Sequence, residues 1–301
     1  MRWNLALGGL AASWGFIAVL VASVDLGAGA LAFWRLALAA ATLGVAALVV
    51  GRADLLSPAG RLPALMLLGV VQGAHWLLFF EAVDRGSVAL AVLTFYAAPL
   101  LIALVAPLVL PERLSATVLA ACVVGGAGIV AVALDTGAAG GAPPAVAVAA
   151  GLGSAATYAM LVILAKRLLE AATPPLTVAF WDCLVGSLAV APVLAFADRV
   201  LPRDASEWAV ALTLGVIFTG VSTLVYATLL RRVTAQAAGV LTFLEPVAGV
   251  LLGWALVDER PGPATLLGGG LVLAAGIVVV LLEPGETRVA DAPAGVGSGS
   301  E

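Results

Sequence analysis

Long apolar runs separated by short polar intervals dominate the 301-residue chain. A helix needs about 20 mostly apolar residues to cross about 30 Å of hydrocarbon, at about 1.5 Å rise per residue. Only closed backbone hydrogen bonding survives there, so runs of that length predict membrane-spanning helices. Ten are expected: Leu5–Ser23, Ala30–Val50, Leu62–Val83, Ser87–Val109, Ser115–Leu134, Ala145–Leu168, Thr177–Ala197, Trp208–Leu230, Ala235–Val257 and Ala264–Leu282. A Gly/Ala/Pro linker over 135–144 divides them into two units, 1–134 and 145–282. The stretch 283–301, rich in Gly, Ser, Pro and acids, reads as a disordered cytoplasmic tail. The first run outlasts the ~7–15 apolar residues of a secretory signal, despite Ala28-Gly29-Ala30, and is read as a span.

Composition narrows the class. With 63% hydrophobic and 11% charged residues, the chain carries far less charge than the ~25% of soluble domains, so lipid must be most of its solvent. The net charge of −4 is diffuse and includes no basic block, which argues against nucleic-acid binding. Cys122 and Cys183 both lie in apolar runs, and there is one histidine. Neither a disulfide framework nor a metal site is expected, and no cofactor is implied. Lys and Arg in the loops divide nine against four, which places both termini in the cytoplasm of a multi-pass plasma-membrane protein.

An internal repeat organises the spans. Ala32-Phe33-Trp34-Arg35 recurs as Ala179-Phe180-Trp181-Asp182, a shift of 147 residues. The same shift carries Gly73 onto Gly220, Arg85 onto Arg232, Pro99 onto Pro246 and Glu112-Arg113 onto Glu259-Arg260. One residue further on, Leu93-Thr94-Phe95 matches Leu241-Thr242-Phe243, and Gly128-Ile129-Val130 matches Gly276-Ile277-Val278. Each copy holds five spans, an odd number, so the second enters the bilayer in the opposite sense. The predicted fold is an all-α membrane protein of ten transmembrane helices in two inverted five-helix repeats. Such repeats mark secondary transporters whose site lies near the midplane between the halves. A duplicated scaffold without transport is the competing reading.

On these residues the chain resembles the drug/metabolite transporter superfamily, in its EamA-type branch of paired five-helix domains. The resemblance covers about Leu5–Leu282. It rests on Ser13-Trp14-Gly15, the Arg35 position, Phe79-Phe80-Glu81-Ala82, Pro99 followed by Glu112-Arg113, and Leu244-Glu245-Pro246 followed by Glu259-Arg260. It implies export of small metabolites, amino acids or drugs by alternating access around a central cavity. Asp182 departs from the first repeat's Arg35, which removes a symmetric role for that pair.

Ionisable groups inside a span cost about 2.5–3.5 kcal/mol each on insertion scales and call for a partner, water or a function. Glu245 is the leading candidate for a coupling proton or a cationic substrate group: it precedes Pro246 about ten residues into the ninth span. Pro246 cannot donate its amide and should kink the helix, freeing the carbonyl of Thr242, to which a neutral Glu245 could instead be bonded. Pro99 and Pro246 are the candidate hinges. Asp182 is a second proton candidate, because a short side chain snorkels poorly. Arg35 is expected to snorkel to the nearer headgroup layer, and Glu81 to meet Arg85 at i, i+4.

Gln72, His75 and Phe79 share one face of the third span, and the 147-residue shift maps them onto Thr219, Ser222 and Tyr226 of the eighth. Two such stripes suit facing walls of a cavity, or else polar glue between helices. Trp14, Tyr96, Tyr158, Trp181 and Phe243 are candidate lining aromatics. Glycines at 125, 126, 128, 268–270 and 276 predict close packing of the fifth span on the tenth. The expected function is a secondary transporter exporting a small organic metabolite or drug, with protons the candidate coupling ion and a monomer the favoured state. No Walker A motif is present, so ATP is not the direct energy source. A receptor or scaffold, and an intramembrane enzyme, are the alternatives. The second lacks any His-Glu-x-x-His or Gly-x-Ser-x-Gly constellation.

Overall fold

The computed structural model describes residues 1–135, 144–257 and 262–283. The expected linker between 136 and 143, Glu259-Arg260 and the tail beyond Glu283 lie outside the described residues. The described residues are mostly helical, with no strand among them. In chain order the spans are α1 (Arg2–Val21), α2 (Ala28–Val49), α3 (Leu62–Arg85), α4 (Val88–Phe95 then Ala98–Val109), α5 (Ala116–Asp135), α6 (Ala145–Glu170), α7 (Pro175–Phe196), α8 (Ala205–Leu230), α9 (Ala235–Leu241 then Leu244–Val257) and α10 (Pro263–Leu282). Among the described residues nine of these are long and apolar enough to cross a membrane and α5 is a shorter apolar helix, together the ten transmembrane helices of an all-α membrane protein.

Departures from regular helix have local causes. α4 breaks at Tyr96-Ala97, two to three residues ahead of Pro99, and α9 at Thr242-Phe243, three to four residues ahead of Pro246. A proline ring clashes with the carbonyl of residue i−4 and offers it no donor, so each helix restarts with the proline in its first turn. At both joints the backbone tightens to i→i−3 bonding: Ala97 donates to Thr94 O at 3.2 Å, and Glu245 donates to Thr242 O at 3.1 Å. The Thr242 carbonyl is thus satisfied by the backbone, not by the Glu245 carboxyl. The middle of α8, Thr213–Val221, winds as a π-helix, whereas the equivalent part of α3 is regular.

Packing follows the duplication. Helices α2, α4 and α5 each pack on their own counterparts α7, α9 and α10. Contacts of α3 with α6 and α7 are matched by those of α8 with α1 and α2. The two five-helix repeats are therefore inverted about an axis between them. Arg85 closes α3 on one face, while Arg232, its counterpart, lies over Trp3 on the N-terminal face. Small residues permit the close approaches: a Cβ on Gly128 of α5 would lie 2.5 Å from Gly268 O of α10, and one on Gly15 would meet the Ala248-Gly249 backbone of α9. Gly126 and Gly270 have nothing within 4 Å and do not serve this contact.

The two membrane faces are built differently. On the N-terminal face, fully buried Lys166 donates to Leu230 O (2.9 Å) and Val233 O (2.7 Å), with Glu170 at 3.7 Å. Beside it, Glu112 Oε1 accepts from Ala235 N at 2.7 Å, and Gln236 bridges Arg113 O and Ser115 N. One continuous apolar cluster backs this polar layer. Toward the other face the core divides into separate clusters, one around Leu26, Leu31 and Leu214, another around Ala82, Ala91 and Ala150. There the loops are tied by Arg199–Glu207 at 2.8 Å and by an exposed Arg203–Asp25 contact at 3.5 Å.

Candidate functional site

Between the repeats lies a cavity of about 240 Å³. Its walls come from α1, α2, α3, α4, α6, α7, α8 and α9, leaving out α5 and α10. The break in α9 places Thr242 and Glu245 on it, and the break in α4 places Phe95 and Tyr96 opposite. Both sequence stripes converge here: Gln72, His75 and Phe79 from α3, and Thr219, Ser222 and Tyr226 from α8. Trp14, Tyr96, Tyr158, Asp182 and Glu245 line the same space. Two other aromatic candidates do not. Phe243 is 1% exposed and packs on Tyr96 behind the wall, and Trp181 donates to Leu56 O at 2.9 Å in the loop after α2. Both follow from helix phase, since their immediate neighbours face the cavity.

The polar groups are held by specific partners. His75 Nδ1 lies 2.9 Å from Ser154 Oγ and 3.2 Å from Ser154 O, with the rings of Trp76, Phe95 and Tyr158 around it. Trp14 Nε1 donates to Ser222 Oγ at 3.1 Å, joining α1 to α8 across the pseudo-symmetry. Asp182 is 6% exposed, and neither its Oδ1 nor Gln72 Oε1 finds a hydrogen-bond partner among the described residues. Half-buried Glu245 carries no ion pair among the described residues.

Arg35 is the clearest correction to the sequence reading. It does not snorkel to the headgroups. Its Nε donates to Thr219 Oγ1 at 3.3 Å, and its guanidinium lies over Trp76, 5.0 Å from the ring centre. Two anchors, one from each repeat, turn it inward along the cavity wall. Glu81 and Arg85, in contrast, form the expected exposed i, i+4 pair at 2.9 Å.

Sequence reasoning also passed over Trp76, Phe95, Thr223 and Thr242, all of which line the cavity. The repeat held the signal. Trp76 is one turn on from Gln72, and the 147-residue shift carries it to Thr223, as it carries Arg35 to Asp182.

Comparisons with known proteins agree with this architecture. A sequence profile described as the EamA-like transporter family matches residues 1–134 and 145–282. An "Uncharacterized transporter" of Archaeoglobus fulgidus is 28% identical over 133 residues, 44% of this chain and 47% of that one, so the match spans about half of that relative. The "Uncharacterized transporter YxxF" of Bacillus subtilis is 23% identical over 226 residues, 71% of this chain and 68% of its own. A crystal structure superposes with a TM-score of 0.83 at 23% identity, covering 93% of this chain and 97% of that chain, which shows the shared fold. The duplicated helices, the cavity between them and the profile match over both halves place this multi-pass membrane transporter in the EamA-like transporter family.

Proposed function

We propose that the chain is a secondary transporter that exports small organic metabolites or drugs across the plasma membrane by alternating access around the central cavity. The observation that carries the reading is convergence: polar stripes from both inverted repeats and two carboxyls line one space, and a buried polar layer lies on the N-terminal face. With both termini cytoplasmic, the Lys166–Glu112–Gln236 layer is the cytoplasmic gate. Opening it requires the two halves to rock, and the joints before Pro99 and Pro246 are where α4 and α9 can bend. About 240 Å³ falls below the ~300–1,000 Å³ of drug-sized pockets, which favours metabolites over bulky drugs.

Glu245 is the proposed proton site, with Asp182 as the second candidate. A carboxyl in water-poor surroundings without a fixed ion-pair partner can exchange a proton or take a cationic group in turn. The test is flux in liposomes under an imposed pH gradient, comparing Glu245→Gln with the unaltered protein. Loss of pH dependence is expected, and an unchanged pH profile would remove the proton role. Ligand binding without flux would favour a receptor instead.

A further inference from the structure

Among the described cavity-lining residues, Arg35 alone carries a fixed positive charge. One donor is spent on Thr219 and one face on Trp76, while neither Nη group bonds to a described residue. No carboxylate lies within ion-pair distance of it among the described residues, although Asp182 and Glu245 line the same cavity. An unpaired cation inside a span is costly and calls for a function. The scaffold does not require it: the equivalent place in the second repeat holds Asp182. Clamped on two sides, the guanidinium keeps a planar fork of donors, the geometry that matches a carboxylate with two parallel bonds. Beside it stand Trp76, Phe79 and Phe95, with ring centres about 6 Å apart (Trp76–Phe79 6.2 Å, Phe79–Phe95 6.0 Å).

We propose that Arg35 is the specificity-determining residue of the cavity: it anchors the carboxylate of a small substrate whose apolar body lies against Trp76, Phe79 and Phe95. Purely cationic compounds of the same size are disfavoured. The assignment rests on the reading of this cavity as the substrate site.

The experiment uses the full chain in lipid nanodiscs and three probes of one shape: 3-phenylpropanoate, its neutral amide and 3-phenylpropylamine. Binding is read from tryptophan fluorescence, since Trp14 and Trp76 both line the cavity. In the unaltered protein the carboxylate binds about tenfold or more tighter than the amide, and the amine weakest. Arg35→Gln brings carboxylate and amide to within about twofold and leaves the amide unchanged, while Arg35→Lys keeps part of the preference. Size-exclusion profiles check that both variants fold. No carboxylate preference in the unaltered protein, or a preference that survives Arg35→Gln, overturns the assignment. Ser222→Trp fills the cavity: carboxylate binding that persists there sinks the cavity reading itself, whereas binding lost there but insensitive to Arg35→Gln sinks the Arg35 role alone.

Discussion

The two walls of the cavity occupy equivalent places in a duplicated scaffold and carry different chemistry. From the first repeat come Arg35, Gln72, His75, Trp76 and Phe79; from the second, at the same positions, Asp182, Thr219, Ser222, Thr223 and Tyr226. One wall is aromatic and basic, the other hydroxylated and acidic. Positions that set helix geometry instead agree between the halves: Gly73 with Gly220, and Pro99 with Pro246. Backbone proximity and helix breaks are thus shared needs of both copies, whereas the lining is free to differ because one asymmetric ligand touches each wall in its own way.

Substitutions that make one wall copy the other should break this division, in a graded order. Arg35→Asp places a third carboxyl in the cavity and removes its fixed cation; flux in liposomes should fall about a hundredfold with the protein still folded. Gly73→Val tests the opposite class, because a Cβ there would lie 2.5 Å from that of Ala189 in α7. It should destabilise by about 1–3 kcal/mol, read as a lower thermal midpoint in detergent. His75→Ser leaves a gap among Trp76, Phe95 and Tyr158 and strands Ser154; about 1–3 kcal/mol of stability and several-fold of flux should be lost. Phe79→Tyr, which reproduces Tyr226, should change flux by less than about twofold. A reversal of this order would mean that the walls are interchangeable after all.

Much of this was legible in the residues. Hydropathy located the ten helices to within a few positions of their observed ends, as with Leu62–Val83 against Leu62–Arg85. A 147-residue shift exposed the duplication, the odd number of spans per copy implied the inversion, and proline chemistry anticipated the joints in α4 and α9. The stripes were visible because helical spacing fixes a face. What was hidden depends on tertiary partners. Nothing in the sequence near Arg35 announces Thr219 or Trp76 as its anchors, so its depth alone suggested a headgroup contact. Phe243 sits next to lining Thr242 yet points behind the wall, a matter of phase across a helix break that periodicity cannot carry. The π-helical turn in α8 also has no counterpart in α3.

Alternating access of the cavity is the central claim, and thiol labelling tests it most directly. With Cys122 and Cys183 replaced by alanine, a single cysteine at Thr219 is exposed to a membrane-impermeant thiol reagent added from either side of oriented vesicles. The account predicts slow labelling from the N-terminal face while the Lys166 layer is intact, and much faster labelling from that face once Lys166→Met and Glu112→Gln loosen it. A Thr219 cysteine that never reacts from the N-terminal face, with or without that layer, would contradict it.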